Sequence, residues 1–212
     1  MEKEISKATI ARMPLYLRFL QEENVKGETF VSSTVIAQSI AVSAVLVRKD
    51  LATVSSEPGR PRLGFSIVRL IADIEKFMGY DCLSDAVVVG AGGLGRAFLG
   101  YEGFKSNGLN IVAAFDSNPK LCGENINDKP VLPMEQFEEF VTSRKIRIGI
   151  ITVPKAAAQE VLDKMERAGI KAVWNFAPAP LRVSKDTIVK TEDLAASLAI
   201  LAGKLGRVIS EE

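Results

Sequence analysis

The chain is predicted to be α/β: a helical N-terminal part, a doubly wound parallel sheet behind it, and one terminal helix. Three observations carry this. Between residues 14 and 77 apolar side chains recur at helical spacing, whereas between 86 and 175 short β-branched runs alternate with helical stretches. The run Ala86-Val87-Val88-Val89 breaks into Gly90-Ala91-Gly92-Gly93-Leu94-Gly95, a G-x-G-x-x-G placed directly on a strand signal and opening a helix. A second apolar strand, residues 109–115, ends in Asp116, 21 residues beyond Gly95. The boundary between the two parts is expected near residues 79–85.

In the first part, Pro14 suits the first turn of a helix running through Phe19 and Leu20 to Asn24, with Gly27 beyond it as a stop. Ser32-Ser33 introduces a short helix over 34–39. A brief turn follows at Ala41-Val42, and Ser43 is a good N-cap for a helix over 44–51. Two short helices joined so tightly read as a helix-turn-helix, whose second member enters a major groove. That member carries Arg48 and Lys49 near its end. Residues 52–65, rich in Ser, Pro and Gly and holding Arg60 and Arg62, read as a β-hairpin wing, and a helix over 67–78 closes a winged-helix domain. The basic residues from Arg48 to Arg62 are opposed by Asp50 and Glu57, a modest patch for which a solvated helix face is the alternative on charge alone. Their position, on a recognition helix and its wing, favours DNA.

In the second part, strands are expected at 86–89, 109–115, 131–132, 146–153 and 172–176, with helices over 134–144 and 156–168, the latter stopped by Gly169. The strand at 146–153 is almost wholly apolar, as a strand buried on both faces should be. This is a Rossmann arrangement, and its ligand belongs at the carboxyl ends of the strands. The first glycine of the motif, Gly90, makes the tight turn, Gly92 lets backbone approach a pyrophosphate, and Gly95 lets the helix pack on the strand. The helix points its free N–H groups and positive dipole end at the phosphates. Asp116 can take both ribose hydroxyls of an adenosine and would repel a 2′-phosphate. Thr152-Val153-Pro154 and Asn175-Phe176-Ala177 lie at strand ends, which makes them candidates for the same crevice. A glycine turn that only packs a sheet is the plainer alternative. Residues 194–208 form an amphipathic terminal helix, with Leu194, Leu198, Leu201, Leu205 and Val208 at helical spacing, able to fold on its own domain or to exchange with a partner.

Composition narrows the chemistry. At 212 residues with a net charge of +1, the chain suits one large or two small domains, and any basic surface must be local. Its two cysteines, Cys82 and Cys122, form no C-x-x-C, which fits a reduced cytosolic compartment. The charged start Met1-Glu2-Lys3-Glu4 and the lack of an apolar run of about 18 residues predict neither a signal peptide nor a membrane span. There is no histidine, which removes the commonest general base, the commonest zinc ligand and any Ser-His-Asp triad. No metal is expected, and a nucleotide-binding protein that does no chemistry gains weight over an enzyme.

These pieces together carry a resemblance. Ile5-Ser6-Lys7-Ala8-Thr9-Ile10, Pro14-Leu15-Tyr16-Leu17-Arg18, Val47-Arg48-Lys49-Asp50-Leu51, Tyr101-Glu102-Gly103-Phe104, Ala114-Phe115-Asp116, Ile150-Ile151-Thr152-Val153-Pro154, Ala168-Gly169-Ile170-Lys171 and Asn175-Phe176-Ala177-Pro178 occur in order across the chain. In this the chain resembles the Rex family of redox-sensing transcriptional repressors. The resemblance implies a cytoplasmic homodimer that binds an inverted-repeat operator in double-stranded DNA, compares NADH with NAD+, and leaves the DNA when NADH binds. It implies a winged-helix domain over 1–80, a Rossmann domain over 81–190, and a dimerisation helix over 191–212 swapped between subunits. It also implies DNA contacts by Ser43, Arg48, Lys49, Arg60 and Arg62, cofactor contacts by residues 90–95 and Asp116, and a polar switch of Arg18, Tyr101 and Asp193. The chain departs from the family in two places. After V-R-K-D-L the family usually carries S-Y-F-G, where this chain has Ala52-Thr53-Val54-Ser55, and Gly93 stands where relatives often have Asn or Arg. Two other readings remain open at this level. One is an NAD-dependent dehydrogenase, for which only Tyr101 or a lysine such as Lys155 could move a proton. The other is a CoA-binding module built on residues 146–178.

Overall fold

A computed structural model describes residues 5–80 and 84–210, the side chains of Ser106 and of 208–210 excepted. Met1 to Glu4 and residues 81–83 of the expected boundary, Cys82 among them, lie outside the described residues. The chain divides into two compact units, 1–82 and 83–212.

In the first unit, helix α1 (Lys7–Val25) begins where the Ser6 hydroxyl accepts the Thr9 N–H. It therefore starts before Pro14, which sits inside the helix. Proline can give the Ile10 carbonyl no hydrogen bond, and burial of Met13, Tyr16, Leu17 and Leu20 along one face outweighs that loss. Strand β1 (Phe30–Val31) leads into α2 (Ser33–Ser39), capped by Ser32, and then α3 (Ala44–Val54), capped by Ser43. The tight turn between these helices puts Ala41 at a positive φ of 55°. Strand β2 (Phe65–Ser66) precedes α4 (Ile67–Met78), which ends on Gly79 at φ 71°. Val47 and Leu51 of α3 pack with Ile36, Ile67, Leu70 and Ile74 in one core.

The wing is shorter than expected. Residues 52–54 continue α3, and β2 pairs antiparallel with β1 rather than with a neighbouring wing strand. What remains of a hairpin is one bridge, in which the Arg60 N–H donates to the Gly64 carbonyl at 2.7 Å and the Gly64 N–H returns to Arg60 at 2.9 Å. Pro58 and Pro61 cannot donate to a ladder, which keeps the hairpin short. Gly64, at φ 89°, lies against the Val31 backbone so closely that no side chain fits.

The second unit is a sheet of β3 (Ser84–Val89), β4 (Leu109–Asp116), β5 (Asn125–Ile126), β6 (Lys129–Pro133), β7 (Ile148–Ile151), β8 (Ala172–Asn175) and β9 (Ile188–Thr191). They are ordered β5-β6-β4-β3-β7-β8-β9, parallel apart from the β5/β6 pair. The chain winds from β3 out to β6 and then returns to the other side at β7. The strand order therefore reverses between β3 and β7, which is where such sheets bind ligands. Helices α6 (Phe137–Ser143) and α7 (Ala158–Arg167) share one core with Val87, Val89 and Phe115. Helix α5 (Gly93–Gly100) covers the other face through Leu99, beside Val88, Ile111 and Ile150. The strand expected over 146–153 is confined to β7. Strand β9 was not foreseen, because only Val189 of its four residues is even partly buried. Helix α8 (Leu194–Ser210) ends the chain, with Leu194, Leu198, Ile200, Leu201 and Leu205 each 58–66% exposed.

Candidate nucleotide crevice and DNA interface

The glycine loop is held by contacts that admit no side chain. Gly90 turns at φ 104°, and a Cβ there would lie 2.7 Å from the Thr152 carbonyl oxygen. The Thr152 hydroxyl donates to the Gly90 carbonyl at 2.7 Å, tying the ends of β3 and β7 together. A Cβ on Gly95 would strike the Gly90 carbonyl oxygen, so the third glycine lets α5 settle onto the strand. Gly92 and Gly93 instead face open space, with nothing within 4 Å of a built Cβ. No side chain caps α5, which leaves its first-turn N–H groups directed at that space.

Asp116 closes the crevice at the end of β4. One of its carboxylate oxygens accepts the Ala91 N–H at 2.7 Å and the other the Asn118 N–H at 2.8 Å. Each oxygen keeps a lone pair for a hydroxyl. Arg96 braces the same loop through the Ala91 carbonyl and pairs with Glu124. Val153 lies beside Gly90, and Pro154 begins the short helical turn after β7. Asn175 and Ala177 are buried and bonded to each other in both directions, and Asn175 also reaches Thr191. The Asn175 amide thereby shapes the turn after β8. Phe176 packs on Phe98 and Trp174, with ring centres 4.9 and 4.5 Å away. Cys122 rests near the backbone of Asp116 and Asn118; partial burial, then the Asp116 and Glu135 carboxylates, pushes its thiol up, which lowers its thiolate fraction.

Two of the three expected switch residues, Tyr101 and Asp193, lie in the second unit and share no hydrogen bond with each other. Tyr101 is exposed, its ring edge-on to Phe104. Asp193 caps α8 by accepting the Ala196 N–H at 2.8 Å and lines a cavity of about 500 Å³ with Pro178, Leu181, Val183 and Thr191. Arg18 lies on the exposed side of α1, in the other unit.

In the first unit, a groove of about 600 Å³ runs between α3 and the short wing, and Arg48, Arg60 and Arg62 line it with Ser32 and Phe65. The Arg60 guanidinium sits over the Phe30 ring, 5.4 Å from its centre. Lys49 is exposed on α3, while the Ser43 hydroxyl accepts the Leu46 N–H. Of the two acids near this patch, Glu57 lines the same groove and only Asp50 is withdrawn from it. Glu57 is held by Arg69, and Asp50 is buried, its side chain only 2% exposed.

Asp50 is the residue whose role sequence reading missed. Arg12 donates to both of its oxygens at 2.6 and 2.9 Å, Tyr16 to one at 2.7 Å and Thr9 to the other at 3.1 Å. Burial alone would raise the Asp50 carboxyl, but the bonds from Arg12, Tyr16 and Thr9 together hold it below the usual carboxylate range. Burial, then Asp50, pushes the Tyr16 hydroxyl up to about 12. One signal in the sequence marked it. Thr9, Arg12 and Tyr16 recur along the core-facing side of α1, and polar groups there need a buried partner.

Comparison with known proteins bears on both units. Residues 83–179 match the family described as CoA binding domain, and residues 4–52 the family described as putative DNA-binding protein N-terminus. The chain is 40% identical over 200 residues to the redox-sensing transcriptional repressor Rex of Treponema denticola, covering 94% of this chain and 95% of that one. It is likewise 40% identical over 204 residues to the Rex of Carboxydothermus hydrogenoformans, covering 96% and 98%. Among solved structures, the Rex-family repressor RSP in complex with β-NAD+ and operator DNA is 35% identical with a TM-score of 0.90, over 97% of this chain and 94% of that one. RSP with β-NADH superposes with a TM-score of 0.85 over 97% and 96%. On this near full-length identity, the chain belongs to the Rex family of redox-sensing transcriptional repressors.

Proposed function

We propose that this protein represses transcription in the cytoplasm by binding operator DNA as a homodimer, and that NADH in the crevice between β3 and β7 releases it. The observation that carries this is the pairing, in one Rex-family chain, of an arginine-lined groove beside α3 with a glycine loop whose open side fits a pyrophosphate. Arg48 and Lys49 read or neutralise the major groove, while Arg60 and Arg62 follow the wing. The loop from Gly90 to Gly95 takes the diphosphate and Asp116 the adenosine ribose. Its carboxylate repels a ribose phosphate, which NADP carries at the 2′ position and CoA at the 3′ position. NAD(H) is therefore favoured over both. The bound nucleotide supplies a signal rather than a reaction: reduction removes the positive charge of the nicotinamide ring. Arg18, Tyr101 and Asp193 exchange partners in response. The protein is a sensor, not an enzyme.

The exposed apolar stripe of α8 supports its exchange into a partner subunit, since a helix gains little from leaving such a stripe in water. Leu201→Asp places a charge in that stripe. The variant is expected to run as a monomer in light scattering and to lose operator binding, whereas a dimer of wild-type affinity would rule out this use of α8.

The direct test is selection of host genomic fragments on the purified protein without nucleotide, with NAD+ and with NADH. Recovery of a palindromic site lost only with NADH supports the proposal, and recovery in no condition refutes it. For the selected duplex, Arg48→Ala is expected to cost ~1–3 kcal/mol of binding if the side chain reads a base, or to lower the salt slope by about one if it meets a phosphate. Unchanged affinity and slope would remove Arg48 from the interface.

A further inference from the structure

We propose that Asp50 is a positioning residue for DNA recognition: its buried carboxylate locks the rotation of α3 against α1 and thereby aims Arg48 and Lys49. This rests on reading α3 as the recognition helix. Arg48 and Lys49 are the two residues before Asp50, so the angle at which they leave the helix is set by whatever fixes Asp50. The other buried contacts of α3 come from Val47 and Leu51, aliphatic side chains whose attraction has no direction. A roll of about 20° about the α3 axis carries a side-chain tip 5–6 Å from that axis by ~2 Å, given the dimensions of a helix. That is enough to lose a bidentate contact with a base edge, while a flexible charge still reaches a phosphate.

The four hydrogen bonds to Asp50 remove this freedom. They come from three side chains spaced along α1 and end on both carboxylate oxygens, using all the acceptor sites a carboxylate offers. Thr9 is itself held by the Ser6 hydroxyl at 2.9 Å, at the start of α1. Arg12 is the only one of the three donors with appreciable exposure, 20% of its side chain. Neutralised from beneath, Asp50 also leaves the outer face of α3 basic.

A purely structural role predicts lower stability with unchanged discrimination in whatever fraction stays folded; a positioning role predicts the reverse emphasis. The experiment compares wild type, Asp50→Asn and Tyr16→Phe, each confirmed folded by circular dichroism at the assay temperature. Each protein selects from a randomised duplex library, and its affinity is measured for the wild-type-selected duplex and for a scrambled duplex of the same composition. The expected result is a fall of about tenfold in the ratio of the two affinities for Asp50→Asn, the scale of losing one bidentate base contact. Tyr16→Phe should fall part of the way. Affinity for the scrambled duplex and its salt slope should stay within about twofold of wild type, because phosphate contacts are retained. Folded variants that discriminate as wild type does, or that weaken equally on both duplexes, would overturn the positioning role. If Asp50→Asn does not fold, Tyr16→Phe decides, since it keeps the ring packing and removes one donor. A wild-type protein that selects no sequence would overturn the reading of α3 as the recognition helix, and this role with it.

Discussion

Gly92→Ala should fold as well as the wild type and yet bind NADH ~10- to 100-fold more weakly, whereas Gly95→Val should lose both stability and binding. The contrast follows from two glycines three residues apart. A Cβ on Gly92 meets nothing in the protein, and the residue's φ of −72° suits any side chain. Its substitution should therefore cost no more than about 0.5 kcal/mol of folding. The added methyl occupies space that backbone and diphosphate would otherwise share, so the penalty appears only when ligand binds. Gly95 is different. Its Cβ would overlap the Gly90 carbonyl oxygen and crowd the Thr152 hydroxyl that already holds that oxygen. α5 must move off β3, an overpacking strain of ~1–3 kcal/mol that also opens the loop. Thermal melts with titration of NADH, read by calorimetry, separate the two. If Gly92→Ala binds NADH like the wild type, the pyrophosphate does not lie on this loop.

The second large effect concerns Arg12. Replacing it with methionine keeps much of the apolar stem over the core but leaves Asp50 buried with only Tyr16 and Thr9. Breaking a buried pair from one side costs ~3 kcal/mol or more, and the low end applies because the Arg12 side chain retains 20% exposure. The pH dependence should change sign. In the wild type the Asp50 carboxyl lies below its ordinary range. Its contribution to stability is therefore complete above about pH 4 and is lost as pH falls through the lowered value. Without Arg12, burial becomes the dominant influence and raises the carboxyl above that range. The folded variant then takes up a proton before the unfolded chain does, and acidification stabilises it. The gap in Tm between wild type and Arg12→Met should thus be widest at pH 7 and narrow steadily towards pH 4. Parallel pH profiles for the two proteins would show that Arg12 does not govern the ionisation of Asp50.

Where the sequence was legible, a local rule had a local cause. Ser43 reads as an N-cap and acts as one, the Ser32-Ser33 pair introduces α2 with Ser32 as its cap, and Gly79 ends its helix in the left-handed conformation that glycine tolerates. The start of α1 was misread because Pro14 is a strong local signal, whereas the reason the helix begins earlier is the Ser6 cap combined with a buried face. The wing was misread for a related reason: the composition of residues 52–65 announces turns but does not say that β2 pairs with β1, which is distant in sequence.

By itself, the sequence determined the two-part α/β architecture, the strand-glycine-helix entry to the sheet and the carboxylate at the end of the next strand. Each of these is a matter of period, spacing or backbone freedom within a short stretch of chain. Only the tertiary structure decided that the Asn175 side chain is buried in the turn after β8, and that Asp50 belongs to the core rather than to the basic face it interrupts. The sign of a charge is written in the sequence, but its effect depends on burial and on partners. For Asp50 those partners lie on another helix, 34 to 41 residues away along the chain.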